Sequence, residues 1–445
     1  MLVFKMKHIV LSLMAAMVLA LNTSAATIET DRTWYLAGEP MEVCVTADDA
    51  VIAYAELCDT HGLAAGIVVS LKGGVGKGII ELPSNLHSGY YVLSAYTRHD
   101  THVSQRLVAI VNPLQKSVDD DIEWIPTSGP SRGEGSLDTP TIVDSTQSPL
   151  PSGKATGRRA LLGNGEWVGS VRETEGHIIQ ARIRNVYDGQ TFKGSQISSS
   201  LSIVGKQVHY FEGKMVNDST AVFYTFGVSG KQPLVLSAVS STGVSLPIEL
   251  ISPFATLLPK TLPHLVFHYQ RSEVEARSLD MQRHQMVIAP AKRELQMGDL
   301  SDDTAEEVVP LDYDENVFGI KPDLSYNLDE YRQFLTIREV LLEYVSCVTY
   351  RKVDGVTKFF VRKEQELYKT FMPTLVLIDG MPVLDVERLL NYDARRIHYI
   401  NIYADQYTFG NGVYNGILSF VTRSGRLTNY PIEHNMQYLV YQFPE

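Results

Sequence analysis

Residues 373–425 read PTLVLIDGMPVLDVERLLNYDARRIHYINIYADQYTFGNGVYNGILSFVTRSG. The apolar run Thr374–Ile378 stops at Asp379-Gly380, a dipeptide that tolerates the positive φ of a tight structural turn, and Pro382 follows. Val386, Leu389 and Leu390 then recur at helical spacing. Ile397–Tyr403 and Ile417–Thr422 are strand-like, with a glycine-punctuated loop between them. Strand, turn, helix, strand, loop, strand is the order of a small α/β unit. Just upstream, Asp329 is placed to cap a helix running to Tyr344, with Tyr331, Phe334, Leu335, Val340, Leu341 and Tyr344 at helical spacing. Asp354-Gly355 between Val348–Lys352 and Thr357–Arg362 predicts a hairpin.

Working outward, the rest of the chain is mainly β. Residues 27–113 and 161–254 each carry short alternating runs separated by Gly, Asp, Asn and Pro, the pattern of an antiparallel β-sandwich. Residues 114–160 are dense in Ser, Thr, Pro, Gly and Asp with little periodicity, which predicts a flexible linker. Residues 255–328 predict a connecting segment with a strand (Leu262–Tyr269) and a helix (Arg271–Met286), and 426–445 a tail. The glycine-rich LKGGVGKG, Leu71–Gly78, lacks a Ser or Thr after Lys77 and lies between strands, so it reads as a turn and not as a phosphate loop.

Thr30-Asp31-Arg32, Tyr35–Glu39, Tyr54–Leu57, Leu82-Pro83, Ser88–Tyr91, Ala95–Arg98 and Asn112-Pro113 together resemble a macroglobulin-like (Ig-like) domain of the kind found in exported Bacteroidetes-type proteins. That resemblance implies an extracytoplasmic sandwich. It does not imply protease trapping, because no Cys-Gly-Glu-Gln thioester segment occurs. Glu175–Ile179 and Thr220–Phe226 resemble the second sandwich of the same group. Over residues 329–425, Thr336–Leu341, Pro373–Val383, Arg396–Tyr403, Phe409-Gly410 and Gly416–Thr422 resemble, in order and spacing, the plug domain of TonB-dependent outer-membrane receptors. Such receptors continue into a barrel of several hundred residues. Only Arg426–Glu445 follow here, so an import channel is not expected.

Residues 1–26 have the form of a cleaved signal peptide. Lys5 and Lys7 are followed by Ile9–Leu21, short of the ~20 apolar residues a spanning helix needs, and then by small residues. No later run predicts a transmembrane helix. The net charge of −12 gives no basic field for nucleic acid. Of three cysteines, Cys44 and Cys58 lie on neighbouring strand-like segments and are open to two readings, a disulfide or small buried apolar residues; Cys347 reads as core. No CxxC or HExxH is present, and His264, His268 and His284 form no ligand pattern, so neither metal nor cofactor is expected. His177, alone at a strand start, reads as a surface or hydrogen-bonded structural histidine.

No catalytic residues emerge from these patterns. The leading expectation is a non-catalytic, periplasmic or outer-membrane-associated scaffold or accessory protein that docks a protein partner in the cell envelope, such as an outer-membrane protein. Tyr403, Tyr407, Phe409 and Tyr414 are its candidate contacts. A second reading uses the same aromatics to bind a nutrient or glycan. A third, a hydrolase using carboxylates near Asp379 (Glu364, Asp385, Asp393, Asp405), finds no local spacing that forces a pair together.

Overall fold

The structure is a computed structural model. It describes residues 26–48, 50–98, 103–112, 122–124, 173, 176–204, 208–267, 271–293, 321–353, 355–362, 374–409, 412–423 and 435–444. Residues 1–25 of the expected signal peptide (1–26) and most of the expected linker 114–160 lie outside these residues.

The first sandwich comprises β1 (Thr27–Thr30), β2 (Trp34–Leu36), β3 (Pro40–Thr46), β4 (Ile52–Cys58), β5 (Leu63–Ser70), β6 (Val75–Glu81), β7 (Gly89–Tyr96) and β8 (Ser104–Val111). One sheet runs β1-β3-β6, the other β2-β8-β7-β4-β5. Lys72 and Val75 bridge across Gly73 and Gly74, whose φ angles of 64° and 80° suit glycine, and the strands on either side diverge into different sheets. Along β4, Ala53, Ala55 and Leu57 enter the sandwich core while Tyr54 points the other way, as the two-residue period requires. Every residue of β4 is buried, so its outer face must be covered too. Phe254, Ala255 and Leu257 help to cover it.

Ile122–Trp124, inside the expected linker, is a strand (β9) and corrects that assignment locally. The second sandwich follows: β10 (His177–Ile183), β11 (Val186–Tyr187), β12 (Gln190–Thr191), β13 (Ile197–Ile203), β14 (His209–Glu212), β15 (Lys214–Met215), β16 (Thr220–Thr225), β17 (Gly230–Ser240) and β18 (Ile248–Ile251). One sheet runs β15-β16-β10-β18 and the other begins β14-β13-β17. β19 (Leu265–Phe267) pairs in parallel with β9, and α1 (Arg271–Arg293) comes next. Val274 of α1 joins Trp34, Phe267 and Ile122 in an apolar cluster on the first sandwich. Arg277 clamps Glu39 at 3.0 Å through both Nε and Nη2 and lies 4.5 Å over the Trp34 ring.

The α/β unit contains β20 (Leu324–Asn327), α2 (Ile337–Glu343), the hairpin β21 (Val348–Val353) and β22 (Val356–Val361), β23 (Leu375–Ile378), β24 (Met381–Pro382), α3 (Val386–Leu390), β25 (Ile397–Phe409) and β26 (Gly412–Thr422). Its mixed sheet is ordered β20-β25-β26-β23-β24. The helix expected from Asp329 begins later. Thr336 accepts from Glu339 N, and Glu339 reaches back to the Thr336 amide, so this capping box fixes the start of α2. Asn327 caps only a 3₁₀ turn at Leu328–Glu330. Asp379 and Gly380 join β23 to β24 with φ of 45° and 86°. A Cβ on Gly380 would meet Val208 of the second sandwich at 2.8 Å.

The expected tail is corrected as well. Residues 437–443 form β27 (Gln437–Phe443), which pairs in antiparallel register with β17 from Gly230↔Phe443 to Leu236↔Gln437. It completes the second sheet as β14-β13-β17-β27. Tyr441 and Phe443 enter the sandwich core. The α/β unit is therefore inserted within the second sandwich and does not follow it.

Candidate functional site

Alternation along β23 decides where the candidate tyrosines go. Val376 and Ile378 face α2 and α3, in a core with Ile400, Ile402, Leu418 and Phe420. Leu375 and Leu377 face the other way, with Tyr403, Ile417 and Tyr210 of β14, and Tyr407 and Tyr414 pack against that cluster. Both faces of this sheet are covered, as the unbroken apolar run Leu375–Ile378 allows. Tyr403 is fully buried, which corrects its reading as a contact for an external partner. Tyr414 Oη donates to Glu212 Oε2 at 2.6 Å and stands 3.4 Å from Tyr210 Oη. The structure thus brings Tyr403, Tyr407 and Tyr414 together, but against the chain's own second sandwich. The side chain of Phe409 lies outside the described residues.

Burial pushes the Glu212 carboxyl above its ordinary range, against the lowering effect of the Tyr414 hydrogen bond. Tyr414→Phe is expected to destabilise the fold by ~1 kcal/mol, because it leaves a partly buried carboxylate without its donor. A raised folded-state pKa means the folded form holds its proton more tightly, so stability grows as pH falls through that value. The variant's penalty should therefore shrink on acidification. Denaturant melts at neutral and acid pH check this; a penalty that grows with acidity would refute the assignment.

The carboxylates considered for hydrolysis are employed separately. Asp379 accepts from Thr422 N at 2.8 Å and from the Thr422 hydroxyl. Asp385 caps α3 and Asp393 caps a 3₁₀ turn while pairing with Arg395. Asp405 is exposed, and Glu364 lies outside the described residues. Cys44 and Cys58 are free thiols on strands of opposite sheets, which closes the disulfide reading. Burial pushes the Cys58 thiol up to about 12, so it is a protonated core residue. Among the described residues no three His, Cys, Asp or Glu side chains gather to hold a metal, and no helix is long and apolar enough to cross a membrane.

Two features escaped the sequence reading. The first is an aromatic surface on the α/β unit. Rings of Tyr331 and Tyr344 lie 4.5 Å apart, with Tyr326 and Phe334 next to them at 6.2 and 5.6 Å. In the same segment Leu335 and Leu342 are 64% and 70% exposed. A shallow depression opens among Tyr331, Phe334, Tyr344, Arg395 and Arg423. The helical spacing was visible in sequence, but α2 starts only at Ile337; Tyr326, Phe334 and Tyr344 are half-buried against the core of the unit, while Leu335 and Leu342 stay exposed.

The second is a buried polar joint between the sandwiches. Tyr54 Oη donates to Glu173, with oxygens at 2.7 and 2.8 Å, and accepts from Arg98 Nε at 2.8 Å. Arg98 also stands 3.3 Å from Glu173 and donates to Ile178 O. His177 Nδ1 faces Glu173 at 3.2 Å, and its Nε2 faces Tyr441 Oη at 2.6 Å. Burial raises the Glu173 carboxyl, but the His177 hydrogen bond, the Arg98 charge and the Ile178 amide outweigh it and hold it below the ordinary range. Of its two sequence readings, His177 takes the hydrogen-bonded one.

No protein-family model matches the chain, and no curated protein matches it. Among solved structures it is similar to an elastase-activated alpha-2-macroglobulin of Escherichia coli at 10% identity, over 53% of this chain and 20% of that one, with a TM-score of 0.18. A Salmonella alpha-2-macroglobulin variant matches at 10% identity over 54% of this chain and 15% of its own, TM-score 0.17. A Corynebacterium diphtheriae protein described as membrane anchored matches at 12% identity over 56% and 59%, TM-score 0.17. The chain thus spans a fifth or less of the alpha-2-macroglobulins. Likenesses this slight carry no argument, and the sandwich architecture rests on the sheets themselves.

Proposed function

We propose that this is a non-catalytic, exported cell-envelope protein that docks a protein partner through its α/β unit, with the two sandwiches as the supporting body. The observation that carries this reading is the apolar segment at Tyr331–Tyr344, where Leu335 and Leu342 are exposed in the same stretch as the half-buried, mutually tilted rings of Tyr331, Phe334 and Tyr344. Exposed apolar clusters of this kind mark interaction surfaces. Macroglobulin-like identity for the sandwiches and plug-like identity for the inserted unit are part of the proposal, and they rest on the sequence resemblances. So does an envelope partner such as an outer-membrane protein. The contact surface moves from the Tyr403–Tyr414 region, which faces the sandwich, to the opposite side of the same unit. A nutrient- or glycan-binding role gains nothing from those inward tyrosines.

The test is a photo-crosslinking residue placed at 335, at 342 or, as a control of similar exposure on the second sandwich, at Phe226. One adduct of defined mass from positions 335 and 342, absent at 226, is expected in envelope preparations. Identical labelling at all three positions, or none at 335 and 342, would refute the docking role.

A further inference from the structure

We propose that the joint between the two sandwiches is an acid-released clasp, opened when His177 takes up a proton. Five side chains make the joint: Tyr54 and Arg98 from the first sandwich, and Glu173, His177 and Tyr441 from the second. All are nearly withdrawn from water: Tyr54 is fully buried, and the side chains of Arg98, Glu173 and His177 are 8%, 4% and 2% exposed. Among the described residues, these are the titratable or charged groups that face His177. They come from β4, the end of β7, the stretch before β10, β10 itself and β27.

Hydrogen-bond direction makes the joint sensitive to one proton. An ionised Glu173 can only accept, so Nδ1 of His177 carries the imidazole hydrogen. Nε2 must then accept from the Tyr441 hydroxyl, and both ring nitrogens are satisfied. A second proton on Nε2 reverses that bond, and the Tyr441 hydroxyl must then give up its role as donor to the ring. It also sets imidazolium and guanidinium against a single carboxylate in a dry site, where an uncompensated charge is costly. Separation of the sandwiches lets water take that charge. The sense of the shift agrees: burial lowers the His177 pKa, outweighing the upward pull of Glu173, and Arg98 adds to the lowering.

The sign follows from linkage. A histidine whose folded pKa lies below its ordinary 6.5 binds its proton more readily in the open state. The closed joint is therefore at full strength above 6.5 and weakens as pH falls from there toward the lowered folded value. Glu173, held low, weakens it further only in stronger acid. A second polar contact behaves oppositely. Glu56 accepts from Thr256 N, Leu257 N and Tyr96 Oη at 3.0, 2.6 and 3.0 Å. Burial raises its carboxyl, so acid does not release this contact. The sandwiches should thus open about the Ala255–Leu257 attachment while staying tethered there.

The full chain is examined between pH 8 and 5 by small-angle scattering and by exchange of the Ile178 amide, which donates to Glu173 at 2.9 Å. The radius of gyration should stay constant above pH 7 and rise reversibly below 6.5. Protection of Ile178, corrected for intrinsic exchange, should fall by up to about tenfold per pH unit, the limit for one linked proton. His177→Gln should abolish this transition above pH 5. A wild-type chain that neither expands nor loses that protection would overturn the clasp, as would a variant that titrates like wild type. Should His177→Gln fail to fold, the ring carbon signal of His177 in the wild-type chain decides: a midpoint shared with the expansion supports the clasp, and a separate one refutes it.

Discussion

Phe443→Ala should lower the unfolding free energy by ~3–5 kcal/mol, and a chain ending at Met436 should lose the second sandwich altogether. Phe443 is fully buried and meets Tyr441 edge-on at 5.0 Å. Removing a buried phenylalanine forfeits its transfer free energy and leaves a cavity. Truncation does more: it strips the strand that pairs with seven residues of β17, Gly230–Leu236, and exposes a long edge with Leu234 and Leu236, both buried now, beside it. Peptide-resolved hydrogen exchange gives the decisive contrast. Protection in residues 197–240 should collapse in the truncated chain while β3, β4 and β7 stay protected. Unchanged exchange across β13 and β17 would show that β27 does not hold the sandwich together.

Glu173→Ala should cost ~3–5 kcal/mol at neutral pH, the usual penalty for leaving a buried charge without its partner. Arg98 would keep its guanidinium in a site where its side chain is 8% exposed, with the Glu173 counter-charge gone. The amide of Ile178 and Nδ1 of His177 would lose their acceptor as well. The companion substitution Arg98→Met removes the stranded charge and keeps the aliphatic stem. The double variant is therefore expected to be more stable than Glu173→Ala alone. Denaturant unfolding of both singles and the double, arranged as a cycle, measures that coupling. Additive losses would mean that the two charges do not act on one another.

Much of the α/β unit was legible because its signals are local. Asp379-Gly380 needs positive φ at two successive residues, and few dipeptides supply it. Thr336 and Glu339 form a capping box within four residues; the expected start at Asp329 failed because a single good capping residue carries less weight than a reciprocal pair. Strand 122–124 was missed since three residues show no period, and its partner, 265–267, lies about 140 positions on. The joint at His177 was illegible for a related reason: Tyr54, Arg98, Glu173 and Tyr441 have no spacing that a sequence pattern could connect.

By itself, the sequence determined the mainly β composition, the alternation within each strand, the tight turns and the element order of the inserted unit. Each depends on φ/ψ preference or side-chain direction over a few residues. Tertiary structure alone decided which face of each strand is covered, and by what. The run Leu375–Ile378 announces two buried faces but cannot name Tyr210 as the cover for one of them. The alternation in Gln437–Phe443 offers an edge but does not choose β17, two hundred residues earlier, to receive it. Pairing and burial are settled by competition among distant surfaces for the same apolar area and the same unpaired amides, and no local stretch of sequence holds that comparison.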